Sequence, residues 1–284
     1  MVKKKKKKVM EENSKSSKDA PKIIDEKKSF IDNEKGNLFG KEDTSKKTSK
    51  KIEREGSGIH NFDKLIEGGF KKNSTNLVMG GTGTGKSIFG IQFLIEGIRK
   101  KEKCIFITFE ETKREFYSNM RNLGFDLEEL EKKGMFFFLE YTPEKVKKML
   151  EEGGGIIESI IIREKIQRIV IDSITSFGLL FERDLDKRSS SLALFRMLRK
   201  WECTTLLTFQ GEASRDYDLA SRILEFESDG IILLYFVRNK RERERYLEIL
   251  KMRGTNHSTK VHNFKIDKKG IGLGNKSLPS GIEL

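Results

Sequence analysis

Cysteine is scarce: the 284-residue chain holds two, Cys104 and Cys203, far apart and each opening an apolar strand-like run. That excludes a disulfide framework and a cysteine-based metal site, and reads as two reduced core thiols. Long hydrophobic runs are missing too, and none approaches the roughly 20 residues that cross a bilayer, so no membrane span is expected. The lysine run Lys3–Lys8 has no apolar stretch behind it, and position 2 is Val2. Neither a secretory signal nor N-myristoylation is therefore expected, and the chain reads as a cytoplasmic protein. No internal repeat, zinc ribbon or helix-hairpin-helix-like segment is present.

What the chain does have is charge: charged residues make up 36%, as many as the hydrophobic ones. Residues 1–54 carry 18 Lys/Arg against 10 Asp/Glu, so most of the net charge of +13 sits there. With only scattered apolar residues such as Ile23, Ile24 and Phe30, that segment cannot offset its ordering entropy and is expected to be a disordered tail. It reads as a solvated arm. An electrostatic tether for nucleic acid or an acidic partner is the alternative, although Phe30 and Phe39 are its only aromatics for stacking on a single strand.

From residue 55 to 284 the texture is that of one α/β domain. Gly58–Phe70 suits a short helix ended by Gly68-Gly69, and Ser74–Met79 a strand. Helices are expected over Lys86–Lys100, Lys113–Leu123 and Ser189–Trp201, with another from Pro143 toward Ile162, broken at Gly153–Gly155, since each helical glycine costs about 1 kcal/mol. Cys104–Phe109, Met135–Leu139, Arg168–Asp172 and Thr204–Phe209 read as buried strands. Gly230–Val237 and Arg245–Met252 read as hairpin strands joined by an exposed connection, Arg238–Arg243, and short strands end the domain at Val261–Ile266 and Gly270–Leu273. Alternating strands and helices imply a mainly parallel sheet covered on both faces, with antiparallel strands at its C-terminal edge.

The stretch Gly80-Gly81-Thr82-Gly83-Thr84-Gly85-Lys86-Ser87 fulfils the G-x-x-x-x-G-K-[ST] pattern, between an apolar strand and an apolar-faced helix. Its glycines let backbone N–H groups turn toward phosphate oxygens; Lys86 suits the β- and γ-phosphates, and the Ser87 hydroxyl a Mg²⁺ ion. The alternative, a plain flexible loop, does not account for the strand–loop–helix context. Asp172 ends the Ile169-Val170-Ile171 strand, where a carboxylate holds the Mg²⁺ shell, or else caps the residues after it. Glu110 and Glu111 follow the second strand. They read equally as surface acids or as groups that orient water toward a γ-phosphate, pointing differently, one with a raised pKa.

Residues 56–284 resemble the single-domain, archaeal KaiC-like ATPases of the RecA-type P-loop superfamily. The resemblance rests on GIHNFDKLIEGGF at 58–70, GGTGTGKS at 80–87, ITFEET at 107–112, RIVIDSI at 168–174 and, most distinctively, LEILKMRGTNH at 247–257 behind SDGIILL at 228–234. It implies a RecA-like fold, ATP and Mg²⁺ as cofactors, and Glu110 and Glu111 as the catalytic carboxylates. It also implies a homo-oligomeric ring, a hexamer by family analogy, with nucleotide between subunits. Lys251 and Arg253 would then reach a neighbour's γ-phosphate, with Met252 and His257 near the base. Where the double-domain clock protein carries a Ser-Thr pair in its autophosphorylating domain, this chain has Glu225-Phe226, which argues against autokinase activity. Ser189, Ser190 and Ser191 read as a helix start. In RecA-like recombinases a polar residue at the end of the next strand senses the γ-phosphate, which makes Gln210 a candidate sensor. The expected function is an ATP-hydrolysing ring that switches an unidentified protein partner. The alternatives are a non-hydrolysing, ATP-dependent scaffold and a DNA-binding, recombinase-like ATPase.

Overall fold

The computed structural model describes residues 52–175, 181, 183–211, 219–239, 241–274 and 278. Residues 1–51, most of the expected tail, lie outside the described residues. Arg54, expected in that tail, is instead part of the folded chain: β1 (Arg54–Glu55) pairs antiparallel with β2 (Phe70–Lys71). The turn between them is a short 3-10 helix, Asp63–Ile66.

The main sheet has nine strands in the order β11-β10-β9-β8-β3-β7-β6-β4-β5. Its parallel part comprises β3 (Thr75–Gly80), β4 (Lys103–Thr108), β5 (Phe136–Glu140), β6 (Ile166–Asp172), β7 (Thr204–Gln210) and β8 (Gly230–Asn239). Strands β9 (Glu242–Met252), β10 (His262–Asp267) and β11 (Gly270–Leu273) add to it antiparallel. This is the expected RecA-like arrangement, antiparallel edge included.

Central strands are apolar on both sides because both faces are covered. Alternate side chains divide between two cores. Val78, Phe106 and Val170 face one, with α1 (Lys86–Arg99) and the phenylalanines Phe62, Phe70, Phe89 and Phe93. Leu77, Ile107 and Ile171 face the other, with α4 (Pro143–Glu151), α5 (Gly155–Glu164) and α6 (Asp184–Lys200). Gly90 brings α1 close to β6, where an added Cβ would meet Val170 Cγ1 at 2.9 Å. Cys104 and Cys203 are free and buried, as expected, and burial pushes the Cys203 thiol up to about 12.

The helix signals work locally. Thr112 Oγ1 accepts from Glu115 N and donates to Glu115 Oε2, a side-chain N-cap that starts α2 (Lys113–Asn122). Asp126 caps α3 (Leu127–Lys132), and Pro143 occupies the first turn of α4. The chain leaves α4 at Glu151 and begins α5 at Gly155; Gly153, Gly154 and Gly155 all have positive φ, so the expected break is there.

Two expectations need correction. The helix expected from Ser189 begins at Asp184, and the three serines lie inside it, with Ser189 Oγ donating back to Asp186 O. The Arg238–Arg243 connection is mostly strand: Arg238 pairs with Arg243 and Asn239 with Glu242, leaving a tight turn. Charged residues at a hairpin tip keep their ladder because their side chains reach solvent while the backbone pairs.

A buried charge, Arg168 on β6, holds the base of the domain together. Its side chain is fully buried, bonds Glu102, Gly56 O (2.7 Å) and Phe93 O (2.9 Å), and lies over the Phe93 ring. Glu55 stands 3.7 Å away, its carboxyl raised by burial.

Candidate functional site

Parallel strands bring their C-terminal ends to one edge of the sheet. Gly80 pairs with Gln210 and Thr108 with Asp172, so the glycine loop, the acids after β4 and the acid of β6 come together there. Crevices at such edges are the usual ligand position in open α/β sheets.

The loop is shaped by contacts only glycine allows. A Cβ at Gly80 would sit 2.4 Å from Leu234 O, and Gly83 and Gly85 have φ of +75° and +107°. Thr84, buried, donates to Gly81 O at 2.9 Å and closes the turn. Thr82 accepts from Gln210 Nε2 at 2.9 Å, so the candidate sensor touches the loop itself. Lys86 Nζ lies across the loop, donating to Gly80 O and Gly81 O at 2.9 Å each. Burial lowers its pKa, while Asp172 and Glu110 pull the other way. Ser87 follows at the start of α1, whose N-terminal N–H groups and dipole favour an anion.

Asp172 accepts from Thr208 Oγ1, and burial raises its pKa while the nearby Ser87 and Thr208 hydroxyls pull the other way. The peptide bond that follows it, to Ser173, is cis. Ser173 Oγ donates to Glu110 Oε1 at 2.7 Å, so the residue after Asp172 holds one of the two acids that follow β4. Glu110 and Glu111 both direct backbone N–H groups at Thr108 Oγ1, at 3.2 and 3.3 Å, which turns the chain sharply after β4. The Glu111 carboxyl is raised, first by burial and then by Asp172. The two acids thus occupy different surroundings, as expected of adjacent carboxylates.

These residues fit a nucleoside triphosphate with its metal. The glycine turns at Gly83 and Gly85 lead into the N-terminus of α1, which favours an anion, and Ser87 and Asp172 offer hard oxygen donors of the kind Mg²⁺ takes. Among the described residues no group of three or more His, Cys, Asp or Glu could hold a metal by itself.

Lys251 and Arg253 are elsewhere. Gly230 pairs with Asn76 on one side and with Met252 on the other. The end of β9 is thus level with the start of β3, about 13 Å down the strand from Gly80 at 3.3 Å per residue. Lys251 Nζ bonds Glu225 O (2.8 Å) and Phe226 O (3.1 Å), and Arg253 bonds Phe226 O (2.6 Å), at the C-terminal end of α7 (Leu219–Glu227). Cations there complement the helix dipole. They do not approach the glycine loop of their own chain.

A bulge in β9 explains which side chains are offered. Ile231 pairs with Lys251 but Ile232 with Ile249, leaving Leu250 as the extra residue. The parity shift turns Lys251 and Arg253 to one face and Met252 into the core with Leu247 and Ile249. Met252, expected near a neighbour's base, is therefore a packing residue, 6% exposed. His257, in the loop beyond, places Nδ1 3.0 Å from Ser258 O.

Sequence reasoning missed Thr208, Ser173 and Arg245. Arg245 donates from Nε and Nη2 to Gly83 O, at 3.1 and 3.0 Å, and lies over the Phe236 ring at 4.2 Å. Its only sequence signal was a place in an arginine-rich hairpin; the pairing of Phe236 with Arg245 brings it to the loop.

Comparison with known proteins adds to this geometry. Residues 56–277 match the family described as "ATPase: KaiC". Over 233 residues the chain is 34% identical to the circadian clock protein KaiC3 of Synechocystis sp., covering 78% of this chain and 45% of that protein. Against the circadian clock oscillator protein KaiC of Synechococcus elongatus it is 34% identical over 224 residues, 76% of this chain and 43% of that one. The chain thus spans less than half the length of these two relatives. Its fold is similar to the crystal structure of the KaiC-like protein PH0186 of the hyperthermophilic archaeon Pyrococcus horikoshii OT3. The TM-score is 0.70 at 35% identity, over 79% of this chain and all of that one.

Proposed function

Since the chain belongs to the ATPase family KaiC, we propose that it is a Mg²⁺-dependent ATPase whose subunits assemble into a ring, with each nucleotide completed by the neighbouring subunit. One observation carries this reading: the glycine loop and three carboxylates meet at one end of the sheet, while the cations Lys251 and Arg253 stand at the other. A phosphoryl-transfer site needs cationic stabilisation of the transferring group beyond the loop lysine, and a neighbour in a head-to-tail ring supplies it.

In this reading Gly80–Ser87 hold the triphosphate, with backbone N–H groups and the start of α1 opposing its charge. Lys86 leaves the loop carbonyls for the β- and γ-phosphates. Ser87 and Asp172 would hold Mg²⁺, which would supply positive charge against the phosphate oxygens. Glu110, positioned by Ser173, or Glu111 orients the attacking water. Gln210, on Thr82, links the γ-phosphate position to the end of β7. Hydrolysis changes the packing between subunits and so switches a protein partner. Among the described residues no helix is long and apolar enough to cross a membrane.

Steady-state Mg-ATP turnover tests this, with Lys86→Ala as baseline. The Glu110→Gln/Glu111→Gln double variant is expected to bind ATP and to lose turnover by about 10²-fold or more, the scale of general-base loss. Wild-type turnover no higher than the Lys86→Ala baseline, with ATP still bound, replaces the catalytic reading by that of a nucleotide-sensing scaffold.

A further inference from the structure

The end of β9 is tied to a part of the chain that the nucleotide site does not touch. Arg54, on β1, has a side chain only 12% exposed. Its Nη1 donates to Ile66 O, Gly69 O and Thr255 Oγ1, each at 3.1 Å. Its Nη2 donates to Glu67 Oε2 at 2.7 Å and to Thr255 Oγ1 at 3.1 Å. One planar guanidinium thus gathers the turn at residues 66–69 and the hydroxyl of Thr255, two residues past Arg253. A second tie lies close by, where Ser258 N donates to Leu65 O at 2.9 Å.

The loop from Arg253 to Ser258 has few other outside supports. Arg253 N is held to Asp229 O at 2.8 Å; Gly254 reverses the chain at φ +67°; Thr255 N donates back to Met252 O at 3.2 Å, and His257 N bonds Thr255 O within the loop. Among the described residues, the outside side chain that bonds residues 254–257 is that of Arg54, through Thr255.

We infer that Arg54 is a positioning residue for the cation-bearing end of β9: by fixing Thr255 against the 63–69 turn it sets where Arg253 stands when offered to the neighbouring subunit. The inference rests on the in-trans reading above. It explains why a residue before the glycine loop, remote from its own chain's nucleotide, is built into so many contacts. A point charge on a flexible stem cannot serve five bonds in one plane, so Lys at this position restores the charge but not the geometry.

The test is directional and uses full-length chains mixed in rings. Lys86→Ala keeps its cations and lacks a working loop; Arg253→Ala keeps its loop and lacks the cation. Turnover recovered in their mixture, above either alone, is expected from the in-trans reading. No recovery overturns that reading itself, whatever Arg54 does. Arg54→Ala is then added to one partner at a time. Placed in the Lys86→Ala chain, it is expected to return the mixture to the level of Arg253→Ala alone, through kcat rather than KM. Placed in the Arg253→Ala chain, it is expected to leave the recovery unchanged. Equal loss in both placements makes Arg54 a folding residue only and overturns the inference, as does no loss in either. Thr255→Val removes the shared acceptor and leaves the guanidinium its other partners. It is expected to give the same one-sided loss at smaller size, and it decides the matter if Arg54→Ala does not fold; symmetrical loss or none from Thr255→Val is then the overturning result.

Discussion

Gly97 lies where α1 passes over Arg168, and an added Cβ would stand 2.6 Å from both Arg168 Cδ and Nε. Neither side can give way: Arg168 is fixed by Glu102 and two carbonyls, and the helix by its contacts with β6. Gly97→Ala should therefore lose about 1–3 kcal/mol of stability, as overpacking does, instead of the gain expected when alanine replaces glycine in a helix. Urea unfolding measures it, and Arg168→Ser in the same chain should cancel much of the clash, giving a coupling energy outside additivity. A stabilised Gly97→Ala would show that the cluster can shift. At this scale the sequence was legible where chemistry is concentrated in a motif: Gly80–Ser87, Asp172 and the Glu pair stand together as expected. Arg168, Thr208 and Arg245 were not, because their roles depend on partners 66, 36 and 162 residues away in the chain.

At the scale of elements, the bulge at Leu250 decides which face of β9 carries charge. Leu250 is 52% exposed, so its own side chain contributes little, and Leu250→Ser should change stability by no more than about 0.5 kcal/mol. Deleting Leu250 is a different perturbation. The register of Leu247 and Ile249 would be kept by the core they fill, and the shortened strand would alternate without a bulge, Lys251 still outward and Met252 still inward. The deletion moves no side chain between faces, so the variant should still unfold cooperatively, within about 1 kcal/mol of wild type. Loss of cooperative unfolding would mean that the extra residue itself, and not the pairing around it, holds Lys251 and Met252 to their faces. The alternation rule, applied to the sequence without the bulge, puts Lys251 inward and Met252 outward, the reverse of the observed faces. The strands of the main sheet and the longer helices were legible, but α3 and α7 were not, since Leu127–Lys132 and Leu219–Glu227 lie in polar, charge-rich stretches. Element ends were less legible: polarity at the hairpin tip and before Ser189 hid residues whose backbones pair or coil all the same.

For the whole molecule, the parallel sheet imposes a separation that no side-chain movement closes. Gly80 and the level of Met252 lie at opposite ends of the sheet, about 13 Å apart along the strands, with β8 between β3 and β9. A chain alone can bind nucleotide at its loop and carry the acids beside it, yet it cannot bring its own Arg253 there. A contact between unlike ends of identical subunits is heterologous, and closes only as a ring. Binding and turnover should therefore separate on dilution. ATP affinity read from a fluorescent analogue should change little as subunits come apart. Turnover per subunit should fall with the assembled fraction measured by sedimentation, and Arg253→Ala should lose about 10³-fold in kcat even when assembled, the scale of a cation supplied in trans. Constant turnover per subunit at dilutions where only monomers sediment would place the whole catalytic apparatus in one chain. The trans role of β9, and Arg54's service to it, would then fall together, leaving the glycine loop and its carboxylates as the complete site.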